Sequence, residues 1–481
     1  MDRIQLRLAT AIFFFASCPA AISSNSPPKL VSIGDVLNFA RQNGSEFKAI
    51  QYEFEALELD IESREKVLSP TISSSISRSW DRRESLTSAS ATRQQSTLSS
   101  LAVEKPFSTG TTVGALLGYE WAQSPRTTPN RNTLIDWEVF LSQSLWRNGF
   151  GRETKARRAG DSWERRERRF ANLLEAQNYL VAIETYYWSW VFAEKEKNIR
   201  RANLERSQRI ESWVARRLRL SAAETSDLLQ ARSLVETRKL QMKNVENRIR
   251  SVMAQFESSL PGLDIRSLTP NLQEFSEARK LESLVVNEGV NSRITSLGSI
   301  IQSAKAARLE SRAEQASSAS DPDLEPSLRH GRNGIDGSEA RARSEAFSAK
   351  NRYSEVALTL SSSLDFSLMR ASARAAKLQA EADAIRASRL KSESEINWQD
   401  LERESLALSD QIQTARGLAR IQQQKADAER TRFEKGRSTA FQAITFEQEA
   451  AEAELRVWEL ELNLRKLEAK ARVYGRFEGA L

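Results

Sequence analysis

Apolar residues recur at spacings of three, four and seven over several long stretches of the chain, which is the period of an amphipathic helix. In the first stretch, Val36, Leu37 and Ala40 share one face with Phe47 and Ile50. The same period predicts helices over residues 33–68, 152–217, 225–257, 281–316, 369–432 and 438–473. The two longest would be rods of roughly 100 Å at about 1.5 Å per residue. A rod with an apolar stripe needs a partner, so the pattern indicates a coiled coil or a helical bundle.

Strict alternation of apolar and polar residues, the period of a strand, occurs between the helices. Val113, Ala115, Leu117, Tyr119 and Trp121 form one apolar face that ends in aromatic residues. Strands are predicted over residues 71–80, 97–107, 111–121, 134–145, 323–330 and 353–365. An apolar face with terminal aromatics is typical of a lipid-facing β-barrel wall. A soluble hairpin packed on helices is the alternative that this alternation leaves open.

The predicted elements follow one another in the same order twice. The sequence LSQSL at residues 141–145 recurs as LSSSL at residues 360–364, each time before a long predicted helix. RLRLS at residues 217–221 and RFEKG at residues 432–436 interrupt the two copies at corresponding places. The resulting division is repeat 1 over residues 33–260, a linker over residues 261–270 and repeat 2 over residues 271–481.

Composition permits long helices and excludes several classes of site. No proline occurs in residues 130–260 or 327–481, so little interrupts a helix there. The mean hydropathy of −0.52 excludes a bundle of transmembrane helices. One cysteine and one histidine are too few for an internal disulfide or a Cys/His zinc site. We therefore predict neither enzyme activity nor a cofactor, and we place His330 in a loop.

A net charge of +7 raises the question of nucleic acid. The 71 Lys and Arg residues, however, are interleaved with 64 Asp and Glu residues, as in ERRERR at residues 164–169. Interleaved charges indicate solvated helix faces rather than a basic stripe that binds phosphates. The sequence also lacks a P-loop. We predict no nucleic-acid partner.

The N-terminus indicates export from the cytoplasm. Arg3 and Arg7 precede an apolar run over residues 8–16 that is too short to span a bilayer, as in a secretory signal peptide. Small residues before Ser24 favour cleavage after Ser23, so that residues 1–23 form the signal peptide. The sequence FASC at residues 15–18 also resembles a bacterial lipobox, in which case Cys18 would be lipidated. In both cases the mature chain leaves the cytoplasm.

The order helix, proline, strands ending in LSxSL, long helix, turn and helix, present twice behind a signal peptide, resembles the TolC-like outer membrane efflux proteins. RFEKGRST at residues 432–439 is similar to the second helical tip of that family. SQSLWRNGFG at residues 142–151 is similar to its strand-to-helix junction. The resemblance covers essentially the whole mature chain.

The resemblance implies a mainly α fold with a membrane β-barrel contribution, in which a duplicated helix-strand-strand-long helix hairpin assembles into a trimeric β-barrel and a periplasmic α-helical barrel. It also implies the exit duct of a tripartite efflux pump or of a type I secretion system, a passive channel gated at its periplasmic tip. The implied partners are two further copies of the chain, outer-membrane lipid, a periplasmic adaptor protein and an inner-membrane transporter.

The resemblance places adaptor docking and gating at two turns. The residues concerned are Arg217, Arg219, Leu220 and Ser221 at the first turn and Lys435, Gly436, Arg437 and Ser438 at the second. Gln442 and Thr445 occupy positions where some members place a constricting ring of acidic side chains, so a constriction here would be uncharged. The basic residues of the two turns could instead be ordinary solvated helix ends.

Two further features depart from the family pattern. Ser221 stands where the family commonly has glycine, and residues 98–121 form an additional hairpin beside a simpler strand pair. The alternative function is a periplasmic coiled-coil scaffold without a pore. Such a scaffold accounts for the long helices, but it does not account for the alternation over residues 113–121.

Overall fold

The structure is a computed structural model that describes residues 29–81, 94–123, 131–220, 224–276, 279–287, 294–348, 350–362 and 365–476. The predicted signal peptide with Cys18, and the predicted tip residue Ser221, lie outside these described residues. Among the described helices, none combines the length and the apolar character that crossing a bilayer would need.

Helices make up most of the described chain. They are α1 (Ile33–Asn43), α2 (Ser45–Arg64), α3 (Arg152–Arg219), α4 (Thr225–Ser259), α5 (Leu297–Ala319), α6 (Glu339–Ala346), α7 (Phe366–Glu434) and α8 (Ala440–Lys470). With 68 and 69 residues, α3 and α7 are each roughly 100 Å long.

The strands divide into one large sheet and two small ones. The strands of the large sheet are β2 (Thr71–Asp81), β3 (Gln94–Pro106), β4 (Thr111–Gln123), β5 (Arg131–Gln143), β9 (Asp323–Asp336) and β10 (Arg352–Ser361). The short strands are β1 (Lys29–Val31), β6 (Leu268–Pro270), β7 (Val286–Asn287), β8 (Ile294–Ser296) and β11 (Tyr474–Arg476). β1 pairs with β6, and β11 lies between β7 and β8.

The helix predicted over residues 33–68 is two helices, because the chain leaves the helical conformation at Gly44 (φ −59°, ψ 130°). A Cβ atom at this position would collide with the Ala40 carbonyl and with the ring of Tyr179 on α3. Glycine therefore allows the chain to bend against α3, after which α2 runs to Arg64 and a single 3-10 turn covers Glu65–Leu68.

The helix predicted over residues 281–316 is wrong in its first half. Leu281–Ser283 is one 3-10 turn, and α5 begins only at Leu297, where the Ser296 hydroxyl accepts a hydrogen bond from the Ser299 amide at 3.2 Å. The apolar residues that suggested a helix pack instead into a cluster with Trp398 and Tyr474. Tertiary packing, not helical period, explains their spacing.

Two predictions about the second half of the sheet need correction. The strand predicted over residues 323–330 continues to Asp336, so His330 lies in β9 and not in a loop. Its Nδ1 atom lies 2.8 Å from the Ser354 hydroxyl on β10. The strand predicted over residues 353–365 ends at Ser361, because Asp365 caps α7 by accepting a hydrogen bond from the Leu368 amide at 3.2 Å. The helix α6 between these strands was not predicted.

The large sheet is antiparallel throughout, in the order β10-β9-β5-β4-β3-β2. β2 follows α2 and β9 follows α5, whereas β5 leads into α3 and β10 leads into α7. All four connections to helices therefore lie at one end of the sheet, which we call the helix end. The opposite end, where β9 connects to β10 through α6, is the far end.

Different helices pack against the long helices α3 and α7 in the segment near the sheet and in the segment farther from it. Next to the sheet, α5 packs against both α3 and α7, and α2 packs against α3. Farther out, α4 folds back along α3, α8 folds back along α7, and α3 and α8 contact each other. Each long helix therefore changes its partner along its length, although Ile385, Leu406 and Ile421 of α7 remain exposed in the single chain.

The main core lies about halfway along α3, and we call it the waist. Tyr187, Trp188 and Trp190 on α3 are fully buried or nearly so, and they contact Phe256 of α4 and Phe275 through edge or tilted ring contacts. The Tyr187 hydroxyl donates a hydrogen bond to the Val31 carbonyl of β1 at 3.0 Å. Aromatic contacts of this kind fix the N-terminal segment and the segment before β7 against the rods.

The waist also contains a network of buried charged residues. The Glu184 carboxylate is fully buried and accepts hydrogen bonds from Arg279 and Arg472, each at 2.6 Å, and from the Trp188 indole at 3.2 Å. Burial alone would raise the pKa of Glu184, but Arg472 and Arg279 outweigh it and hold this pKa below its ordinary value. The network joins α3 to the segment that follows α8.

Glu184→Leu should lower the free energy of unfolding by about 3 to 5 kcal/mol, because it leaves two arginines without their buried partner. The change should appear as a lower midpoint of helix loss when the full-length protein is heated and followed by circular dichroism. Glu205→Leu is the matched control, since Glu205 is an exposed glutamate of the same helix, and it should change the free energy by less than about 0.5 kcal/mol. Equal midpoints for both variants would show that the network does not stabilise the waist.

Candidate functional site

The register of the large sheet gathers most of its exposed aliphatic residues on one face, which also carries Arg332 and Arg352 toward the far end. Leu117 lies between Leu101 of β3 and Trp137 of β5, and the flanking pairs continue this pattern across the sheet. The exposed aliphatic residues of this apolar face are Ile72, Ile76, Leu101, Val103, Val113, Leu117, Val139, Leu141, Leu328, Val356, Leu358 and Leu360. Exposure reaches 81% at Val356. A continuous apolar surface of this extent needs a cover other than water.

The opposite face is mainly polar, with Leu98 and Ile335 as its exposed aliphatic residues. Ser75 and Ser79 of β2 lie within hydrogen-bond distance of serines on β3, at 2.8 and 2.7 Å. Glu138 accepts a hydrogen bond from the Tyr353 hydroxyl at 2.8 Å and pairs with Arg329 at 3.4 Å. Polar side chains on one face and aliphatic side chains on the other are the arrangement of a wall between water and hydrocarbon.

Aromatic residues mark the far end of the apolar face. Trp80 and Trp121 lie at the far end of this face by register, and Tyr119 lies two residues nearer the helix end, whereas Trp137 lies opposite Leu117 at the middle of the sheet. From Val113 to Trp121 the strand rises by about 26 Å at roughly 3.3 Å per residue. That length is close to the apolar band of about 25 Å found in membrane barrels, whose borders carry aromatic girdles.

The structure brings the two predicted turns together at the end of the rods. The ring of Trp213 on α3 lies 4.1 Å from the ring of Phe433 on α7, and the Arg217 guanidinium lies 4.7 Å from the Trp213 ring. Phe433 is buried with Ile210 and Ile444 in a small cluster. This aromatic contact, which joins the two hairpins, was not predicted, because it links residues far apart in sequence.

The second turn depends on a glycine. Gly436 has a φ of +71°, and the amides of Gly436 and Arg437 donate hydrogen bonds to the carbonyls of Phe433 and Arg432 at 3.0 and 2.8 Å. The Ser438 hydroxyl contacts the Glu429 carboxylate and lies 3.1 Å from the Gln442 side chain. A left-handed glycine with these bonds is a common way to end a helix.

The other predicted tip residues differ in exposure. Arg219, Leu220, Lys435 and Arg437 are exposed, and Leu220 reaches 78%. Gln442 is also exposed, whereas Thr445 is half-buried and donates its hydroxyl to the Phe441 carbonyl at 2.9 Å. The Thr445 hydroxyl is therefore engaged within its own helix. In the described part of the chain, no group of three or more histidine, cysteine, aspartate or glutamate residues could hold a metal ion.

A basic groove of about 340 Å³ lies beside the tip. Its charged lining residues are Arg206, Arg209, Arg216, Arg430, Glu434 and Glu447. Glu447 on α8 pairs with Arg206 of α3 at 3.0 Å and with Arg430 of α7 at 2.8 Å. One carboxylate thus links three helices at the tip, a contact that no short motif in the sequence indicates.

Comparisons with solved structures show what this fold resembles. A membrane protein from Pseudomonas aeruginosa matches with a TM-score of 0.68 at 12% identity, over 97% of each chain. The outer membrane protein VceC from Vibrio cholerae matches with a TM-score of 0.63 at 11% identity, over 91% of this chain and 94% of that one. The outer membrane channel CmeC from Campylobacter jejuni matches with a TM-score of 0.63 at 11% identity, over 91% of this chain and 84% of that one.

No protein-family model matches the sequence, and no curated protein matches it. The likeness to solved structures nevertheless extends over nearly the whole chain. The fold predicted from the resemblance to TolC-like outer membrane efflux proteins is thereby confirmed: long helices combine with a β-sheet as in outer membrane channels.

The two faces of β4 should respond differently to arginine. Leu117→Arg places a cation on the apolar face and should prevent assembly into membranes, because arginine at the middle of a barrel wall costs about 2 to 4 kcal/mol. Leu116→Arg, one residue earlier, places the same cation on the polar face opposite Glu138 and should be tolerated. Yield of the protein in the outer-membrane fraction is the measurement. Equal yields for the two variants would contradict the assignment of the faces.

Proposed function

We propose that this chain is one subunit of an outer-membrane exit duct that serves a tripartite efflux pump or a type I secretion system. The large sheet supplies part of a β-barrel in the outer membrane, and the long helices supply part of an α-helical barrel in the periplasm. The duct is a passive channel and catalyses no reaction. Its gate and its adaptor-docking surface lie at the tip, around the two turns.

The apolar face of an open sheet is the observation that carries this proposal. Within the described residues, β2 and β10 are the outer strands of the sheet, and each has one edge without a partner strand. A membrane offers no water to satisfy such edges, so a sheet in lipid must close into a barrel. A periplasmic scaffold without a pore would leave both the apolar face and the edges uncovered.

Strand directions favour closure between copies of the chain. β2 runs from the helix end to the far end and β10 runs back, so β2 of one copy and β10 of the next would pair antiparallel, as all other strands of the sheet do. This head-to-tail contact generates a ring. Three copies of a six-stranded sheet would give eighteen strands, a number at which barrels hold an aqueous channel.

Native mass spectrometry in detergent should therefore find three chains per particle. The reason is that the unpaired edges of one copy are satisfied only by its neighbours. A folded and stable single chain in detergent, with its helices intact by circular dichroism, would contradict the duct. A ring of another size would retain the duct but change its bore.

The tip should recognise the adaptor through its exposed charges. Arg219→Glu combined with Arg437→Glu should weaken crosslinking to the adaptor and reduce export, because complementary charges steer and orient protein partners. Arg201→Glu combined with Arg420→Glu is the control, since both arginines are exposed on the same two helices but at least roughly 20 Å from the tip. Both double variants should still assemble in the outer membrane. Unchanged crosslinking and export in the tip variant would show that these arginines are ordinary solvated residues at helix ends and do not dock the adaptor.

A further inference from the structure

Helix α6 lies on the apolar face of the large sheet, near the far end. Ala342 and Ala346 are fully buried against Ile135 and the half-buried Tyr119. The Trp137 indole, on the same face, donates a hydrogen bond to the Ala346 carbonyl at 3.1 Å. The contact is close because Gly334 has no side chain; a Cβ atom there would collide with the Ala342 carbonyl.

The outward surface of α6 is basic and partly aromatic. Arg341 and Arg343 are exposed on the helix, and Lys350 and Arg352 are exposed just beyond it. Phe347 is 61% exposed and stacks on Trp137, with ring centroids 6.5 Å apart. We call these five residues the α6 surface.

The cations of the α6 surface have no carboxylate partner in the described part of the chain. Among the described residues, no ion pair involves Arg341, Arg343, Lys350 or Arg352. The same segment does contain three acidic residues, Asp336, Glu339 and Glu345, but its five basic residues, which include Arg332, outnumber them. Exposed cations that no carboxylate of the described chain holds are available to bind an anion from outside the protein.

The place of α6 indicates what that partner is. The helix lies on the face that the proposed function assigns to lipid, and it packs against Tyr119, which lies two residues from Trp121 at the far end. Aromatic residues of a barrel mark the border between hydrocarbon and headgroups. A short helix with alanines inward and arginines outward at this border has its guanidiniums among the headgroups and Phe347 near the acyl chains. Guanidinium groups bind phosphate oxygens through paired, charge-assisted hydrogen bonds.

We propose that the α6 surface binds phosphate-bearing lipid headgroups of the membrane leaflet farther from the long helices. The inference rests on the proposed membrane location of the sheet. The bound headgroup would hold α6 against the barrel wall and fix the depth of the barrel in the bilayer.

The test uses the full-length protein purified in detergent. Phosphatidylglycerol or phosphatidylcholine is added at equal concentration, and native mass spectrometry counts the lipids retained per assembly. We expect several-fold more phosphatidylglycerol than phosphatidylcholine. Arg341→Gln, Arg343→Gln and Lys350→Gln combined should lower the apparent affinity for phosphatidylglycerol by about tenfold or more, since each basic residue near an anionic surface contributes roughly a fivefold factor.

The control combines Arg201→Gln, Lys243→Gln and Arg420→Gln, which remove the same charge from exposed positions on the rods. It should retain phosphatidylglycerol as the unchanged protein does. Equal retention by the α6 variant, equal retention of the two lipids, or displacement of phosphatidylglycerol by excess inorganic phosphate would each overturn the lipid site while leaving the duct untouched. A protein that stays water-soluble as single chains and retains no lipid would overturn both proposals.

Discussion

Unpaired backbone groups at the two edges of the large sheet constrain the rest of the molecule. The inner strands β3, β4, β5 and β9 each pair with a strand on both sides, whereas β2 and β10 each pair with only one strand among those described. Water can satisfy such edges, but a membrane cannot. In the proposed duct, another copy of the chain covers the edges and lipid covers the apolar face. In that setting the open sheet requires oligomerisation.

The helices, unlike the large sheet, have surfaces suited to water. Along α3, the helices α4, α5 and α8 cover the apolar side chains in turn, whereas α7 keeps aliphatic residues such as Ile385, Leu406 and Ile421 exposed beside its charged ones. The waist adds buried polar contacts, in which Glu184 bridges two arginines, and such contacts favour one arrangement of helices over others with the same apolar stripe. The rods are thus fixed near their middle. The tip is held by a small apolar cluster around Phe433 and by Glu447, which pairs with Arg206 and Arg430.

Sequence period predicted the long helices and the strands of β4 and β5 well, because each has a regular pattern over many residues. The predictions were wrong where tertiary contacts, rather than a regular sequence period, determine the local structure. The residues after 281 have a helical period, although their apolar side chains pack in a cluster with Trp398. The sequence around Gly44 does not indicate that the chain bends there against Tyr179. Helix α6 was not predicted, because its only buried apolar residues, Ala342 and Ala346, give a weak hydrophobic pattern. At the tip, the turn glycine Gly436 was visible in the sequence, but the contact of Trp213 with Phe433 and the bridging role of Glu447 depend on folding.

The distribution of charge along the molecule gives the net charge of +7 a meaning that composition alone did not. On the rods, many arginines have carboxylate partners, such as Arg64 with Glu164 and Arg308 with Glu167. At the two ends of the molecule, exposed basic residues without such partners in the described chain accumulate, at Arg219 and Arg437 on the tip and at Arg341 and Arg343 on α6. Paired charges keep a long helix soluble and cost little to maintain, whereas unpaired charges are available to bind something else. In the proposed duct, these two accumulations of positive charge lie where the chain would meet a protein partner at one end and the membrane surface at the other.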